Sequence, residues 1–318
     1  MDDDNQQSDI DPEEERDPDQ PQEDEEPPKV VNLLSPAHMK ESLSLLAKIN
    51  HGVQFALTRF QCIDKELTDI SLLAKYKYVR YVDISGNSLT DISCLNSLPN
   101  LLRLDAERNL LIEANLGECP YLQILNLARN NIVSTSEFVY PHLRHLNLNY
   151  NQIGTVSGLD TFKLDSLRIL ELRGNQLTTT ENISLPKLEQ LYLAANQITA
   201  IEGIEMMGSL EVLHLRENPI QSLDGFSEKL CRLSVLNMRQ TQVEIMNEIS
   251  KLQVLSSSLK SLSFLDTPVT ETENYRIETL IFLRLLDKLD KEKFTNDERL
   301  EAQELSESKL EQEQPPED

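Results

Sequence analysis

Basic residues are few in this chain. Its 318 residues include 30 lysines and arginines against 54 aspartates and glutamates, a formal net charge of −24. Nucleic-acid binding requires a concentrated positive face, so this composition argues against a nucleic-acid partner. The acids gather at both ends: residues 1–28 hold 14 acids and one base, and residues 287–318 hold 12 acids and five bases. We predict a disordered acidic tail over residues 1–34, either a solubilising arm or a contact for a basic partner.

The sequence also lacks an apolar run long enough to span a membrane. Its first residues are acidic rather than a basic stretch followed by an apolar core, so no signal peptide is predicted. The few cysteines are scattered and form no cluster; they are Cys62, Cys94, Cys119 and Cys231. We therefore expect a cytoplasmic protein without a membrane partner, whose four cysteines stay reduced in the core.

Groupings of residues that carry catalysis are missing as well. The five histidines share no metal-ligand spacing with one another or with cysteine. No phosphate-binding glycine motif is present, and Gly86 and Gly174 fall in turns that follow predicted strands. We predict a protein that is not an enzyme, with no cofactor, no metal and no small-molecule substrate.

What the chain does contain is one repeated pattern, Leu-x-x-Leu-x-Leu-x-x-Asn, which recurs about ten times between Leu57 and Thr267. Its asparagines are 21 to 24 residues apart: Asn87, Asn109, Asn130, Asn151, Asn175, Asn196 and Asn218. This period and signature are typical of a leucine-rich repeat. The pattern predicts an α/β solenoid, a curved horseshoe with short parallel strands on its concave face and irregular or short helical segments on its convex face. We expect the asparagines to form a buried ladder that satisfies backbone groups in the turns.

The repeats degrade at both ends, as capping requires, and Thr241 and Thr267 replace the last two asparagines. We predict a capping helix over residues 35–56, begun by Ser35 and burying Met39, Leu43 and Leu46. Repeats should fill residues 57–270, and a C-terminal cap with a helix over 280–289 should fill 271–292. Residues 293–318 form an acidic, partly helical tail that opens with a capping box at 295–298. That tail is either a solvated helix or a helix that docks on a partner.

The concave face is the candidate binding site, because strand alternation places every second side chain of each unit there. In one unit, Leu170 and Leu172 should point inward, while Ile169, Glu171 and Arg173 line the concave face. Acids gather in the N-terminal half of this face and arginines in the C-terminal half. Arginine and tyrosine are frequent in binding hot spots, so we predict contact with an acidic partner segment; the other interpretation is a solvated face with ion pairs inside the sheet. The predicted contact residues are Tyr192, Arg173, Arg216, Arg239, His214, Glu171, Asn147 and Asn149.

Specific segments add a family resemblance. The motif at Ile198–Ile204 is similar to that of phosphatase-regulatory and dynein-light-chain leucine-rich proteins. Four longer stretches resemble the family of leucine-rich-repeat proteins found in ciliary radial spokes: Leu67–Ser93, Leu167–Leu177, Ser184–Ile198 and Tyr275–Glu292. The resemblance implies a non-catalytic scaffold, bound to other spoke components, in the axoneme of motile cilia and sperm flagella. Two alternatives are a cytosolic regulatory subunit that holds a phosphatase or similar enzyme on the concave face, and an acidic chaperone for histones.

Overall fold

The computed structural model describes residues 31–49, 52–114, 116–136, 138–159 and 162–313, with side chains to residue 308. The chain divides into two units, residues 1–31 and 32–318. Apart from Val31, the first unit lies outside the described residues, and so does almost all of the predicted acidic tail at 1–34. The prediction of disorder was wrong at the end of this tail, because Leu34 is buried and its N–H donates to the Asp69 carbonyl at 3.0 Å. The helices and strands of the described residues all belong to the second unit.

Thirteen strands form one sheet in which every strand neighbours the next one in the chain. They are β1 (Leu43–Ile49), β2 (Gln54–Gln61), β3 (Tyr81–Asp83), β4 (Arg103–Asp105), β5 (Ile124–Asn126), β6 (His145–Asn147), β7 (Ile169–Glu171), β8 (Gln190–Tyr192), β9 (Val212–His214), β10 (Val235–Asn237), β11 (Ser261–Ser263), β12 (Lys288–Leu289) and β13 (Glu292–Lys293). Strands β2 to β12 are parallel, and an antiparallel pair closes each end. The predicted leucine-rich-repeat solenoid is confirmed.

Each strand from β3 to β11 is three residues long and buries its central side chain, while the two flanking side chains are half-buried on the concave face, except that Arg103 of β4 is exposed. Leu170 and Leu172 are fully buried, as predicted. The opposite side of each unit is irregular, with 3₁₀ turns at Ser71–Lys75, Ser93–Ser97, Lys251–Leu255 and Pro268–Glu271 and the short helix α2 (Met246–Ser250). Because each coil stacks its leucines on those of its neighbours, the core runs continuously through the repeats.

The seven repeat asparagines are buried and bond the backbone of adjacent units. Asn130 is representative: its amide nitrogen donates to the Ala106 and Leu127 carbonyls, both at 3.0 Å, and its Oδ1 accepts the Leu111 N–H at 3.0 Å. The residue before each asparagine has a left-handed backbone, as at Arg129 with φ +56°. The ladder therefore ties each turn to the turn before it. At its end, the Thr241 hydroxyl donates to the Met238 carbonyl at 2.8 Å.

The N-terminal cap differs from the predicted helix over 35–56. Helix α1 spans only Pro36–Ser42, and Leu43–Ile49 is strand β1, which leaves Leu46 64% exposed. The predicted start is correct, since the Ser35 hydroxyl accepts the His38 N–H at 3.2 Å. The helix prediction was wrong beyond residue 42 because β1 pairs antiparallel with β2 and satisfies the backbone groups of that strand's outer edge.

The C-terminal cap also departs from the prediction. Helix α3 spans Tyr275–Phe282, and residues 288–289, expected to be helical, instead add the parallel strand β12 to β11. Helix α4 (Asn296–Glu313) begins with the predicted capping box, in which the Thr295 N–H donates to the Glu298 carboxylate at 2.7 Å. Its first turns are not simply solvated: the Arg276 guanidinium lies 2.7 Å from Glu298, and Ala302 is buried. No helix among the described residues has the length and apolarity that a membrane span requires.

The four cysteines are free thiols, but they are not all in the core. Cys62 and Cys119 are buried, Cys94 is half-buried and Cys231 is exposed. The prediction was wrong for Cys231 because it follows Leu230 in a turn that leads into the strand, where the chain meets solvent. Burial, with Asp91 and Asp69 nearby, raises the pKa of the Cys94 thiol to about 11.

Candidate protein-binding site on the concave face

The strand register aligns the concave side chains in rows that cross the sheet. Asn147, Glu171, Tyr192 and His214 are consecutive partners from β6 to β9. Neighbouring strands lie about 4.8 Å apart, so residues in one row are in side-chain contact. The rings of Tyr192 and His214 meet edge to face with centroids 4.9 Å apart. The row is therefore a packed surface rather than a set of independent side chains.

A notch interrupts this surface in the C-terminal half of the sheet. Its lining residues are Asn149, Glu171, Arg173, Tyr192, Ala194, His214, Arg216 and Asn237. Ala194 follows β8 at the position that holds Arg173 after β7 and Arg216 after β9. Because alanine carries only a methyl group, it leaves a gap between the two arginines. The structure thus brings seven of the eight predicted contact residues to or beside one notch, and Arg239 lies one strand further on.

Arg173 is the unusual cation of the notch. Its Nε is buried and has no hydrogen-bond partner, and none of the ion pairs among the described residues includes it. Its guanidinium lies 5.4 Å from the centre of the Tyr150 ring, and Arg129 lies 4.8 Å from the same ring. A cation over an aromatic face is attracted to it but keeps its N–H groups free for another acceptor. Arg173 is therefore held in place with hydrogen-bonding capacity unused.

Glycine allows Tyr150 to support Arg173. Gly174 has φ +68°, and a Cβ there would lie 2.5 Å from Cδ1 of the Tyr150 ring. The ring thus occupies the space that any larger residue at 174 would fill. Tyr150 and Arg129 are functional candidates that sequence reasoning missed. Their one signal is the position before the ladder asparagine, where a left-handed backbone directs the side chain to the rim of the concave face.

Glu171 does not neutralise Arg173, although both line the notch. His145 Nε2 lies 2.7 Å from Oε1 of Glu171, and the Asn149 amide donates to Oε2 at 2.6 Å. The hydrogen bond from His145 is the main reason that the pKa of Glu171 is lowered. Oδ1 of Asn149 also accepts the backbone N–H of Arg173 at 2.7 Å. Oδ1 of Asn147 accepts the backbone N–H of Asn149 at 3.0 Å. These hydrogen bonds fix the positions of the polar side chains that line the notch.

The other predicted contact residues have partners of their own within the sheet. Arg216 lies 3.4 Å from Glu217, and Arg239 lies 3.5 Å from Asp266 with its own Nε unbonded. Burial, together with Arg216, lowers the pKa of His214, so this side chain is neutral at pH 7. The Tyr192 hydroxyl donates to Gln190 at 2.9 Å. The notch is thus a positively charged site backed by neutral rings.

Acids in the N-terminal half of the face have partners within the sheet. Asp105 lies 3.7 Å from Arg103 and accepts the Asn126 amide at 3.0 Å, and Glu107 lies 3.5 Å from Arg129. This half matches the alternative interpretation of internal ion pairs. Among the residues that the structure describes, no three histidine, cysteine or acidic side chains gather as a metal site.

A sheet of short parallel strands, an asparagine ladder and a polar concave face define a leucine-rich-repeat protein, a class that acts as a protein-binding scaffold. Two family models agree: "Leucine-rich repeat" matches residues 159–315 and "Leucine rich repeat" matches residues 120–177. Leucine-rich repeat-containing protein 23 of Bos taurus is 44% identical over 84% of this chain and 78% of its own length. The protein of the same name in Homo sapiens is 43% identical over 88% of this chain and 81% of its own. The chain belongs to the family of leucine-rich repeat-containing protein 23.

Solved structures agree on the fold. An internalin from Listeria monocytogenes superposes with a TM-score of 0.52 at 21% identity, over 73% of this chain and 72% of that one. The functional domain of InlJ from the same species, which includes a cysteine ladder, gives a TM-score of 0.56 at 19% identity, over 76% of this chain and 56% of that one. At these identities the likeness concerns architecture alone.

Proposed function

We propose that this chain is a non-catalytic scaffold that captures an acidic segment of a partner protein in the concave notch. The observation that carries the proposal is Arg173, a guanidinium held on the Tyr150 ring without an acid partner among the described residues, beside a gap made by Ala194. A carboxylate entering the gap accepts two parallel hydrogen bonds from one guanidinium. Arg216 and Arg239, which lie 3.4 Å from Glu217 and 3.5 Å from Asp266, supply further guanidinium groups for the next acid of the same segment.

Partial burial makes such a contact stronger than an ion pair on an open surface. Hydrogen bonds to charged groups contribute about 1.5–3 kcal/mol each, whereas exposed ion pairs contribute about 0–1 kcal/mol. Tyr192 and His214 add apolar contact around the charged centre and keep water away from it. The notch therefore selects an acid followed by an apolar or aromatic residue rather than any acidic chain.

The test replaces Arg173, Arg216 and Arg239 together by glutamate in the full chain. Immobilised wild-type and variant protein are incubated with a salt extract of axonemes, and bound proteins are compared by quantitative mass spectrometry. We expect a defined set of proteins to bind the wild type and to be lost from the variant, with the melting temperature nearly unchanged. A variant that captures the same proteins as the wild type contradicts the notch as the binding site.

The matched control reverses three cations outside the concave face. Lys187, Lys229 and Arg232 are exposed, and their replacement by glutamate changes the net charge by the same amount. This control separates a specific notch from non-specific repulsion by a more acidic protein. Capture by the control variant should equal that of the wild type.

We further propose that the assembly is the radial spoke of motile cilia and sperm flagella, and that the protein resides in the axoneme. Support comes from family membership and from the family-like segments Leu67–Ser93 and Tyr275–Glu292, which extend beyond the repeat consensus into the residues around it. Salt extraction of demembranated flagella tests the placement. The protein should stay with the axoneme in detergent and leave with spoke proteins in chaotropic salt; release with the soluble cytosol, in a one-to-one complex with an enzyme, would instead support a regulatory subunit.

A further inference from the structure

The hairpin formed by β1 and β2 exposes large apolar side chains at the N-terminal end of the sheet. Leu46 is 64% exposed, Phe55 60% and Leu57 41%. Leu46 and Leu57 are direct partners in the register, so they share one face of the hairpin. A capping element normally turns polar groups outward. This one leaves an apolar surface.

A groove lies next to this surface. Leu43, Ala56, Leu57, Tyr76 and Pro99 give it an apolar lining, and Lys75, Lys77, Tyr78 and Asn100 complete it. Lys75 and Lys77 are exposed at its rim. The groove thus has a mainly apolar lining and two lysines at its rim.

The cations of this region have no acid partners among the described residues. None of the ion pairs there includes Lys48, Lys75 or Lys77. The chain as a whole carries a net charge of −24, so three lysines of one region without an acid partner in the described part of the chain are unusual in it. Carboxylates are the complementary groups, and the apolar lining requires an apolar side chain beside them.

We propose that this groove, here called the hairpin groove, binds a short segment of another protein in which an apolar anchor is flanked by carboxylates. The anchor lies between Leu57 and Tyr76, and the carboxylates reach Lys75 and Lys77. The proposal is independent of the concave notch, which lies between β6 and β10, whereas the hairpin groove adjoins β1 to β3. A scaffold with both surfaces holds two partner segments at once.

Two other occupants fit the charges less well. An anionic membrane attracts the lysines but repels a protein of net charge −24. A second copy of the chain would bring Lys48, Lys75 and Lys77 against their own equivalents if the two copies met through this surface symmetrically. An acidic segment with an apolar anchor satisfies both features of the groove.

The probe is a phage-displayed library of random peptides of about twelve residues, selected on the full chain and counter-selected on the Lys75→Glu, Lys77→Glu double variant. Selected peptides should be enriched in aspartate or glutamate next to leucine or phenylalanine. Measured by fluorescence anisotropy, their affinity should fall about tenfold in the double variant, since two attractive contacts become repulsive. It should also fall with rising salt.

A second variant and a matched control keep the test decisive. Leu57→Ser removes the apolar contact without changing charge, and it should weaken the same peptides about tenfold. The double variant Lys288→Glu, Lys291→Glu reverses two exposed lysines at the other end of the sheet and should leave affinity unchanged. Far-ultraviolet circular dichroism of all variants checks that the fold is retained.

Three outcomes overturn the proposal. The first is that selection yields no acidic, apolar consensus, or yields peptides that bind the groove variants as well as the wild type. The second is that the full chain sediments with phosphatidylserine vesicles and loses this binding in the double variant, which assigns the groove to a membrane. The third is a sedimentation mass of twice 36.3 kDa that returns to the monomer value in Leu57→Ser, which assigns it to a second copy.

Discussion

Replacing one ladder asparagine by leucine should destabilise the repeats strongly while leaving their packing volume almost unchanged. Asn151 lies in the middle of the ladder and is buried. Its amide nitrogen donates to the Leu127 and Leu148 carbonyls at 3.0 and 3.1 Å, and its Oδ1 accepts the Ile132 N–H at 2.9 Å. Asn151→Leu therefore removes these three hydrogen bonds, and a longer one of 3.4 Å to the Asn149 carbonyl, from a side chain whose shape leucine approximates.

The loss in the free energy of unfolding depends on which hydrogen bonds each backbone group keeps after the substitution. The two carbonyls keep another ladder asparagine, since Asn130 donates to Leu127 at 3.0 Å and Asn175 donates to Leu148 at 3.0 Å. The Ile132 N–H has Asn151 as its hydrogen-bond acceptor among the described residues and is left unsatisfied. An unsatisfied buried donor costs about 1–3 kcal/mol, and weakening two further bonds brings the expected loss in the free energy of unfolding to about 2–4 kcal/mol.

Urea unfolding followed by circular dichroism measures this loss. Asn131→Leu is the control, because Asn131 is exposed and its backbone, not its side chain, bonds Leu111. Asn151→Thr should give an intermediate loss, because Thr241 shows that threonine at the ladder position retains a bond to a carbonyl, Met238 at 2.8 Å. If Asn151→Leu unfolds within about 0.5 kcal/mol of the wild type, a typical surface effect, the ladder does not stabilise the solenoid as argued.

Two further predictions concern the notch and the C-terminal cap. Gly174→Ala should lower the free energy of unfolding by about 1–2 kcal/mol, because an L-residue is strained at φ +68° and its Cβ would displace the Tyr150 ring; urea unfolding measures the change. The hydrogen bond from Arg276 is the main cause that lowers the pKa of Glu298 to about 2, so the stabilisation that this pair gives α4 is fully present above pH 4.5 and is lost as the pH falls towards 2. Glu298→Gln should flatten this pH dependence, which hydrogen exchange of the α4 amides over that range measures.

Both predictions have matched controls. A Cβ added to Gly154 meets nothing within 4 Å, so Gly154→Ala should leave stability unchanged or slightly raised. Glu301 is an exposed acid on the same helix as Glu298, and Glu301→Gln should retain the wild-type pH profile. Equal losses in Gly154→Ala and Gly174→Ala would rule out the Tyr150 contact as the cause, and an unchanged profile in Glu298→Gln would rule out its ion pair.

The central repeats could be predicted from the sequence because one pattern determines both the strand and its register. In β7, the alternation of Ile169, Leu170 and Glu171 decides which side chain is buried, and the ladder asparagine fixes where the strand ends. The repeat period then places Glu171, Tyr192 and His214 in one row. In these repeats the local sequence pattern and the packing against neighbouring units favour the same strand and the same buried side chains, so the sequence alone predicts them.

The ends could not be predicted in the same way because they do not repeat. Leu43–Ile49 has apolar residues at a spacing that a helix also satisfies, and it becomes a strand because β2 offers an open edge. The segment after Phe282 likewise joins β11 rather than continuing α3. An edge strand has unpaired backbone N–H and C=O groups, and hydrogen bonding to them outweighs the local preference of a segment for helix. The sequence shows where the helices after Ser35 and Thr295 begin, but it does not show where they end.

The residues of the candidate site could be predicted from the sequence, but the contacts between their side chains could not. Strand alternation places Glu171 two residues before Arg173 on the same face. Whether the two pair depends on rotamers and on the competing His145, which lies 2.7 Å from the carboxylate. Tyr150 belongs to the turn rather than the strand, so its contact with Arg173 depends on the left-handed backbone there. Arg173 therefore lacks an acid partner among the described residues because His145 bonds Glu171 and because Tyr150 holds the guanidinium on its ring.

The ladder gives the two proposed surfaces a fixed separation. Ala194 of the notch follows β8, and the hairpin groove adjoins β2, six strand spacings away in the sheet. At about 4.8 Å for each spacing, the two surfaces lie roughly 30 Å apart along the sheet. Every turn in between is bonded to the previous turn through an asparagine such as Asn130, so one continuous ladder of hydrogen bonds connects the two surfaces. Two partner segments held at that separation on one rigid support bind with an effective concentration set by the sheet, so a partner that spans both surfaces gains affinity over either contact alone.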